Sequence, residues 1–339
     1  MTTEEIKRTL EKPEYDFLKT NQHLGENIIL LGLGGSHAYG TNIESSDIDI
    51  RGIATNSKRE ILLGKDFEQV VNKETDTTVY SLLKVIGLLA NANPNILEML
   101  FLKPEHYIKL SEAGKLLIEN RHLFLSQKCF YTFGGYARQQ LRRINSLLGK
   151  ETLQSEKERY ILNAIEDSGV ICSDKHSSLG SNDIKLYIDK SLREDLEEEI
   201  FIDINLRRYP LRDYNGMFQE LREVIKDYDK VGKRASYAFS HGKINKHAMH
   251  LVRLLKTCIT ILETGDFCTY CEKDHNLLMD IRNGKYLSKD GNMSSEFFEM
   301  IDKLEKDMSN AFSNTQLPKA PDWDKISDLV YAINEKVCK

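Results

Sequence analysis

The feature that most constrains the fold of this chain is the stretch at residues 29–51, ILLGLGGSHAYGTNIESSDIDIR. We predict a strand over residues 27–33, because an apolar run without alternation is typical of a strand covered on both faces. A glycine-rich turn follows, and then a second apolar segment that carries two aspartates. The stretch therefore predicts two strands of a buried sheet on either side of a tight turn.

The two aspartates, Asp47 and Asp49, lie one residue apart in a segment that we predict as a strand over residues 47–54. Alternate side chains of a strand share a face, so both carboxylates would project together while Ile48 and Ile50 project to the other side. The Cα atoms of the two aspartates would lie about 6.5 Å apart. Carboxylates at this spacing can share or bracket Mg²⁺ ions, which prefer oxygen ligands.

The turn between the two segments has the residue types of an anion site. Gly34 and Gly35 allow the backbone to turn tightly and to approach a ligand closely. Ser36 falls at the predicted start of a short helix, where its hydroxyl can cap the helix and free backbone N–H groups can bind an anion. A glycine turn or a pair of strand aspartates alone is usually structural, but the two together in this order favour a site for a nucleotide and a metal ion.

Three residues near these segments are further candidates. We predict a strand over residues 75–82, in which alternation makes Asp76 a candidate third carboxylate. His37 could contact phosphate or cap its own turn. Arg51 shares the predicted strand face of Asp49 and could pair with that carboxylate or reach a phosphate.

Other residues allow both a structural and a functional interpretation. Glu98 could serve packing or support the metal site from behind. Cys268 and Cys271, with His275 nearby, have a spacing found in zinc sites, but a structural zinc site usually needs four ligands and no second pair stands at a suitable spacing. Aromatic side chains that could stack on a base or simply be buried are Tyr39, Tyr80 and Tyr136.

Basic residues recur at helical spacing in the second half of the chain. We predict a helix over residues 243–262, whose basic stripe is either a solvated face or a ligand-binding surface. A basic cluster on a predicted helix over residues 136–148 either follows an RNA backbone or belongs to an ordinary surface helix. The stripe consists of Lys243, Lys246, His247, His250 and Arg253, and the cluster of Arg138, Arg142 and Arg143.

Composition limits the class of protein. The net charge of −5 excludes a global basic field that would attract nucleic acid, although a local basic face remains open. No run approaches the roughly 18 to 20 apolar residues of a membrane span. The polar N-terminus and six irregularly placed cysteines favour a cytoplasmic protein with reduced thiols. Nothing in the pattern indicates an oligomeric state.

Several motifs together resemble one enzyme superfamily. One motif resembles the signature of the DNA polymerase β-like nucleotidyltransferases, in which Gly-Ser precedes Asp-x-Asp by about ten residues. It consists of GGSHAYG, then six residues, then DIDIRG. More narrowly, the chain is similar to the predicted nucleotidyltransferases associated with RNA repair. The motifs that carry this similarity further are TVYSL, NPNILEML, KHAMHLVRLL, ETG and LPKAPD.

The resemblance implies a fold and a reaction. The expected fold is α/β (α+β), with a small mixed sheet flanked by helices and a mainly helical C-terminal domain. We expect the catalytic domain at residues 1–128, closed by a helical stretch at 105–128. The helical domain would cover residues 129–339, with an unassigned insertion around 150–235. The implied reaction transfers a nucleotidyl group from an NTP to a hydroxyl and releases pyrophosphate.

The resemblance also implies roles for individual residues. Gly35 and Ser36 would hold the triphosphate, assisted by basic residues of the helical domain, and Asp47 and Asp49 would bind two Mg²⁺ ions, with Mn²⁺ as the alternative. Asp76 would be the third carboxylate and the natural acceptor of the hydroxyl proton.

The acceptor implied by the resemblance is RNA, either a tRNA or a cleaved 3′ end. Two alternatives stay open. The acceptor could be a protein side-chain hydroxyl, which the lack of an obvious basic tract allows. The chain could also be a non-catalytic nucleotide- or RNA-binding protein or an antitoxin-like partner, although the intact pair of Asp47 and Asp49 argues against this.

Overall fold

A computed structural model describes residues 3–148, 184–190, 198–207, 243–288 and 292–338, together with short fragments between 192 and 222. Spatial packing divides the chain into two compact units. The first combines residues 1–139, 248–286 and 294–339, and the second combines residues 140–247 and 287–293. Much of the region 150–235, which sequence reasoning left unassigned, lies outside the described residues.

A five-stranded mixed sheet is the centre of the first unit, and it confirms the predicted fold class. The strand order is β3-β4-β2-β1-β5, with β2 and β4 parallel and the other neighbours antiparallel. The strands are β1 (Ile28–Leu33), β2 (Ile50–Ala54), β3 (Gln69–Asn72), β4 (Thr77–Ser81) and β5 (Tyr107–Leu110).

The first strand forms the middle of the core, as its apolar run predicts. All six residues of β1 are buried, and β2 and β5 pair with its two edges. The pairing of β1 with β2 aligns Leu33 with Ile50, and just beyond it the Gly34 N–H donates to the Asp49 carbonyl at 2.8 Å. The glycine turn and the aspartate segment are therefore held side by side by the sheet itself.

Helices cover the sheet and fill the rest of the first unit. Two of their starts follow ordinary capping rules, since the hydroxyls of Ser81 and Ser111 each accept from the backbone N–H of the third residue of the helix that follows. Up to residue 148 the helices are α1 (Thr3–Thr9), α2 (Phe17–Thr20), α3 (Gly35–Tyr39), α4 (Lys58–Leu62), α5 (Leu82–Ala90), α6 (Pro94–Leu100), α7 (Glu112–Glu119) and α8 (Lys128–Leu148).

The region after residue 243 is helical, as predicted. Gly265 has φ +68 and its N–H donates to the Ile261 carbonyl, so it ends the first of these helices as the glycine cap rule predicts. The last helix packs against α7 and α4 of the sheet-bearing unit. The helices are α9 (Lys243–Thr264), α10 (Glu272–Arg282), α11 (Ser295–Asn314) and α12 (Trp323–Cys338).

Two local predictions need correction. The strand predicted over residues 47–54 begins at Ile50, so both aspartates precede it. The stretch at residues 105–128, predicted as helical, contains the strand β5 before α7. Four residues are too few for periodicity to reveal a strand, and pairing with the open edge of β1 overrides the local pattern.

The described part of the second unit contains an antiparallel pair of strands, β6 (Ile184–Lys190) and β7 (Glu198–Ile204). Both strands lie in the region 150–235 that the sequence analysis left unassigned. None of the helices in the described ranges combines the length and the apolar character that crossing a bilayer requires.

Candidate active site

The glycine turn after β1 lies directly against the aspartate segment. Gly35 has φ +52, and a Cβ atom built on it would overlap the carboxylate of Asp49. Glycine is therefore required here both for the left-handed backbone and for the close approach. Ser36 is the second residue of α3 rather than its cap, because the N-cap is Gly34 and no side chain caps this helix. The prediction that Ser36 caps the helix is wrong for that reason.

The two aspartates show the alternation that was predicted, although they lie in the extended segment before β2. Ile50 is fully buried and Ile48 packs against the core, whereas Asp47 is exposed and the side chain of Asp49 is 21% exposed. The isoleucines therefore anchor the segment, and the carboxylates are left on its other side.

Asp76 lies beside Asp49 because of the register between two parallel strands. This register aligns Ile50 with Thr77, and the Ile50 N–H donates to the Asp76 carbonyl at 3.3 Å. Asp76 precedes β4 and has φ +43, which is uncommon for a residue other than glycine. Its position therefore comes from a turn. The prediction that Asp76 is placed by the alternation of a strand is wrong.

Arg51 connects the two carboxylates that the register brings together. One guanidinium nitrogen, Nη2, lies 3.2 Å from Asp49 Oδ1. The other, Nη1, donates to the Asp76 carbonyl at 2.7 Å, and both lie 3.3 Å from Asp76 Oδ1. Of the two possibilities for Arg51, the structure shows the pairing with Asp49 and adds Asp76 as a second partner.

The residue types of the predicted metal ligands suit Mg²⁺. Aspartate oxygens are the donors that Mg²⁺ prefers, and Asp47 and Asp49 lie together before β2, so the chemistry of the donors fits. Within the described residues, however, no three His, Cys, Asp or Glu side chains are grouped so that they could hold a metal ion. At Asp49 and Asp76 the charge is instead balanced by Arg51.

Cys268 and Cys271, the candidate zinc ligands, lie in the segment before α10. Both thiols are exposed, and the Cys271 thiol donates to Asp274 Oδ2 at 3.4 Å. The ring of His275 lies against the ring of Tyr270, with centroids 5.4 Å apart. Among the described residues these side chains do not form a metal-binding group.

A cavity of about 240 Å³ opens beside the turn, within the first unit. One part of its lining contains the glycine turn together with Asp49 and Arg51, and another part, the α6–α9 wall, comes from α6 and α9. Its lining residues are Leu33, Gly34, Gly35, Ala38, Tyr39, Asp49, Arg51, Tyr80, Asn95, Ile96, Glu98, Met99, Leu102, His250 and Arg253.

A buried ion pair joins α6 and α9 in the lining of this cavity. Arg253 Nη1 lies 2.5 Å from Glu98 Oε1, with the two side chains 8% and 12% exposed. The guanidinium carbon of Arg253 also lies 3.8 Å from the centre of the Tyr39 ring. Burial raises the pKa of Glu98, although Arg253 acts in the opposite direction. Both charged residues are candidates in the sequence, but no local signal links positions 155 residues apart.

Two buried polar atoms of residues that line the cavity have no hydrogen-bond partner among the described residues. They are the hydroxyl of Tyr39 and the Nε of Arg253, in side chains of residues that are 5% and 7% exposed. Buried polar groups are normally paired, so the two atoms mark a place where a polar ligand or water would be accommodated.

His37 is buried and does not belong to the lining of the cavity. Burial lowers the pKa of its imidazole, against the opposing effect of a hydrogen bond with the Ser46 backbone. The ring is therefore uncharged at neutral pH, which removes the electrostatic reason for a contact with phosphate.

The basic stripe of α9 is divided between the two units. His250 and Arg253 line the cavity, whereas the stripe residues before position 248 belong to the second unit. Of these, Lys246 is exposed, and His247 Nδ1 lies 2.8 Å from Gln140 Oε1. The assignment of the stripe residues to triphosphate binding stays a prediction, as does an RNA contact by Arg138, Arg142 and Arg143.

The three tyrosines considered for base stacking have different surroundings. Tyr39 and Tyr80 line the cavity, and Tyr39 carries the guanidinium of Arg253 on its ring. Tyr136 accepts a hydrogen bond from Asn93 Nδ2 at 3.3 Å. Tyr80 and the amide side chain of Asn95 are thus cavity residues suited to contacts with a nucleotide. Of the two, only Asn95 is absent from the candidates found in the sequence.

Comparisons with known proteins give a relative in a phage and a matching family model. The chain is 25% identical over 333 residues to the uncharacterized 38.9 kDa protein in the nrdC-mobD intergenic region of Enterobacteria phage T4, covering 89% of this chain and 96% of the phage protein. No solved structure matches the chain. Residues 4–165, which include the glycine turn and all three aspartates, match the model of the RNA repair pathway DNA polymerase beta family. The matched residues contain all five strands of the mixed sheet, so the sheet-bearing part of the chain is similar to the RNA repair pathway DNA polymerase beta family.

Proposed function

We propose that this protein is a Mg²⁺-dependent nucleotidyltransferase that transfers a nucleotidyl group from an NTP to a hydroxyl of RNA and releases pyrophosphate. One observation carries the proposal: the carboxylate of Asp49 touches the backbone of the Gly35 turn, lies beside Asp76, and borders a cavity. A phosphate-binding turn and metal-binding carboxylates are the two parts that phosphoryl chemistry requires next to each other.

In this proposal Asp47 and Asp49 hold Mg²⁺, or Mn²⁺ in its place. A divalent ion bound there would neutralise the charge of the triphosphate and of the leaving pyrophosphate. Because Gly35 has no side chain, the Asp49 carboxylate lies directly against the turn, so a metal ion held by Asp49 would be close to a phosphate bound at the turn.

Asp76 is proposed to accept the proton of the attacking hydroxyl. Its side chain is 57% exposed, so an acceptor molecule can reach it from solvent. Its carboxylate is paired with Arg51, and the proton can be accepted once this contact is relaxed.

The rest of the cavity is proposed to receive the nucleoside part of the substrate. Tyr80 offers an aromatic face, Asn95 an amide, and Ile96 with Met99 an apolar surface. His250 and Arg253 are the members of the basic stripe that reach this cavity, so we assign them to the nucleotide. The volume of about 240 Å³ limits how much of an NTP is enclosed, and the remainder lies towards the open side.

RNA is proposed as the acceptor because the family that matches residues 4–165 is described by RNA repair. A cytoplasmic location agrees with the cysteines of the described residues, which are free thiols. The hydroxyl of a protein side chain is the alternative acceptor, and the net charge of −5 is the observation that favours it.

The test is to incubate the protein with each labelled NTP, Mg²⁺ and total RNA. We expect label in RNA, and we expect Asp47→Asn and Asp49→Asn each to lower the rate by about 100-fold or more while the melting temperature stays close to that of the wild type. Asp302→Asn, which changes an exposed aspartate on α11, is the matched control and should leave the rate unchanged.

Three outcomes would change the proposal. Label found only in protein would favour the alternative acceptor. Full activity of both asparagine variants would refute the assignment of the metal ligands. Transfer to neither RNA nor protein, with any NTP, would favour the non-catalytic binding protein.

A further inference from the structure

Arg51 occupies an unusual place for a cation in a site that is proposed to bind metal ions. Its guanidinium contacts Asp49 Oδ1 at 3.2 Å and Asp76 Oδ1 at 3.3 Å, and it also donates to the backbone carbonyls of Ile50 and Asp76. Several hydrogen bonds therefore hold one positive charge between two carboxylates.

The register of the sheet explains why a cation is needed there. Pairing of β2 with β4 sets Asp49 beside Asp76, and like charges at neighbouring positions repel each other. The left-handed backbone of Asp76, with φ +43, is held by hydrogen bonds from the Ile50 N–H and from Arg51 to its carbonyl. Arg51 therefore stabilises the arrangement of both carboxylates when no other cation is present.

We propose that Arg51 is an exchangeable internal counter-cation, which leaves Asp49 and Asp76 when a divalent ion binds and then pairs with the triphosphate of the substrate. This inference rests on the proposed function. A metal ion at Asp49 and the guanidinium would compete for the charge of the same carboxylate and would repel each other. Binding of the ion is therefore coupled to release of Arg51.

The position of Arg51 favours this exchange. Its side chain is only partly buried, at 27% exposure, so it can change rotamer at small cost. It lines the cavity, and a Cβ atom added to Gly34 would lie 3.1 Å from Arg51 Cγ. The stem of the arginine thus crosses the glycine turn, which places a released guanidinium close to the proposed phosphate site. A guanidinium binds phosphate oxygens through two parallel hydrogen bonds.

The proposal predicts two changes of opposite sign when the guanidinium is removed. In Arg51→Gln the carboxylates lose a competitor, so Mn²⁺ should bind about three- to tenfold more tightly. With Mn²⁺ present, inorganic triphosphate should bind about tenfold more weakly, because its partner is missing. A merely structural role of Arg51 would not move the two affinities in opposite directions.

Isothermal titration calorimetry of the full chain measures both affinities, first with Mn²⁺ alone and then with inorganic triphosphate in saturating Mn²⁺. Arg51→Lys is the second variant; it keeps the charge but cannot bridge both carboxylates, so its Mn²⁺ affinity should lie between those of the wild type and Arg51→Gln. Arg59→Gln, which changes an exposed arginine of α4, should match the wild type.

The outcomes separate this inference from the proposed function. If the wild type binds Mn²⁺ and neither Arg51 variant binds it more tightly, the counter-cation role is refuted while the metal site stands. If neither the wild type nor any variant binds Mn²⁺, the metal site of the proposed function is refuted, and the proposed role of Arg51 is refuted with it. Asp49→Asn should abolish Mn²⁺ binding, which ties the signal to this site.

Discussion

Two carboxylate–guanidinium contacts line the same cavity, and they differ in their exposure to water. The contact of Arg51 with Asp49 has side chains that are 27% and 21% exposed, whereas that of Arg253 with Glu98 has side chains that are 8% and 12% exposed. Partial exposure keeps water available to both ions as they separate, so the first contact can open. Burial makes separation of the second costly, so it acts as a fixed part of the wall.

The largest expected effect concerns the buried pair. Arg253→Met leaves the carboxylate of Glu98 buried without its partner, and we expect the free energy of unfolding to fall by about 3–5 kcal/mol. Chemical denaturation measures this loss. The double variant Glu98→Gln with Arg253→Met contains no buried charge and should recover much of it. A loss below about 1 kcal/mol in the single variant would contradict the picture of a fixed pair.

The same variant should also show a characteristic dependence on pH. Burial raises the pKa of Glu98 and Arg253 opposes this, so removing Arg253 raises the pKa further. A carboxyl group whose pKa is raised by folding stabilises the protein below its unfolded pKa of about 4.5, and this contribution is lost as the pH rises through the folded value. The stability difference between wild type and Arg253→Met should therefore be smaller at pH 5 than at pH 8.

A smaller effect is expected at the glycine turn, which touches the exposed contact. Gly35→Ala places a side chain on a backbone with φ +52 and against the Asp49 carboxylate, so we expect a loss of about 1–3 kcal/mol in unfolding free energy. Gly135→Ala is the matched control, because a Cβ there meets no atom within 4 Å and its helix should gain about 0.5–1 kcal/mol. Equal stability changes in the two variants would mean that the close approach at Gly35 is not present in solution.

The smallest effect on stability is expected at the exposed contact itself. Arg51→Gln removes ionic contacts that water can replace, so the free energy of unfolding should fall by no more than about 1 kcal/mol. The same denaturation experiment as for Arg253→Met makes the two variants directly comparable. A loss as large as that of Arg253→Met would show that Arg51 is a fixed structural residue and would remove the contrast between the two contacts.

Features that depend on neighbouring residues were predictable from the sequence. The apolar run of β1, the alternation of Ile48 and Ile50 with the aspartates, and the glycine end of α9 each follow from strand periodicity or capping. The combination of turn and aspartates also pointed to the region that the family match covers. These signals are local because backbone geometry fixes which side chains share a face.

Features that join distant parts of the chain were decided by the tertiary structure. The strand β5 replaces a predicted helix because β1 offers an unpaired edge, and Asp76 reaches Asp49 through the register of two parallel strands. Arg51 meets a residue 25 positions away, and Arg253 meets one 155 positions away. Sequence patterns report the conformation of a segment, whereas partner choice and burial depend on which segments pack together. The sequence alone therefore identifies the charged side chains. Only their packing distinguishes the contact of Arg51 with Asp49, which can exchange, from the contact of Arg253 with Glu98, which is fixed.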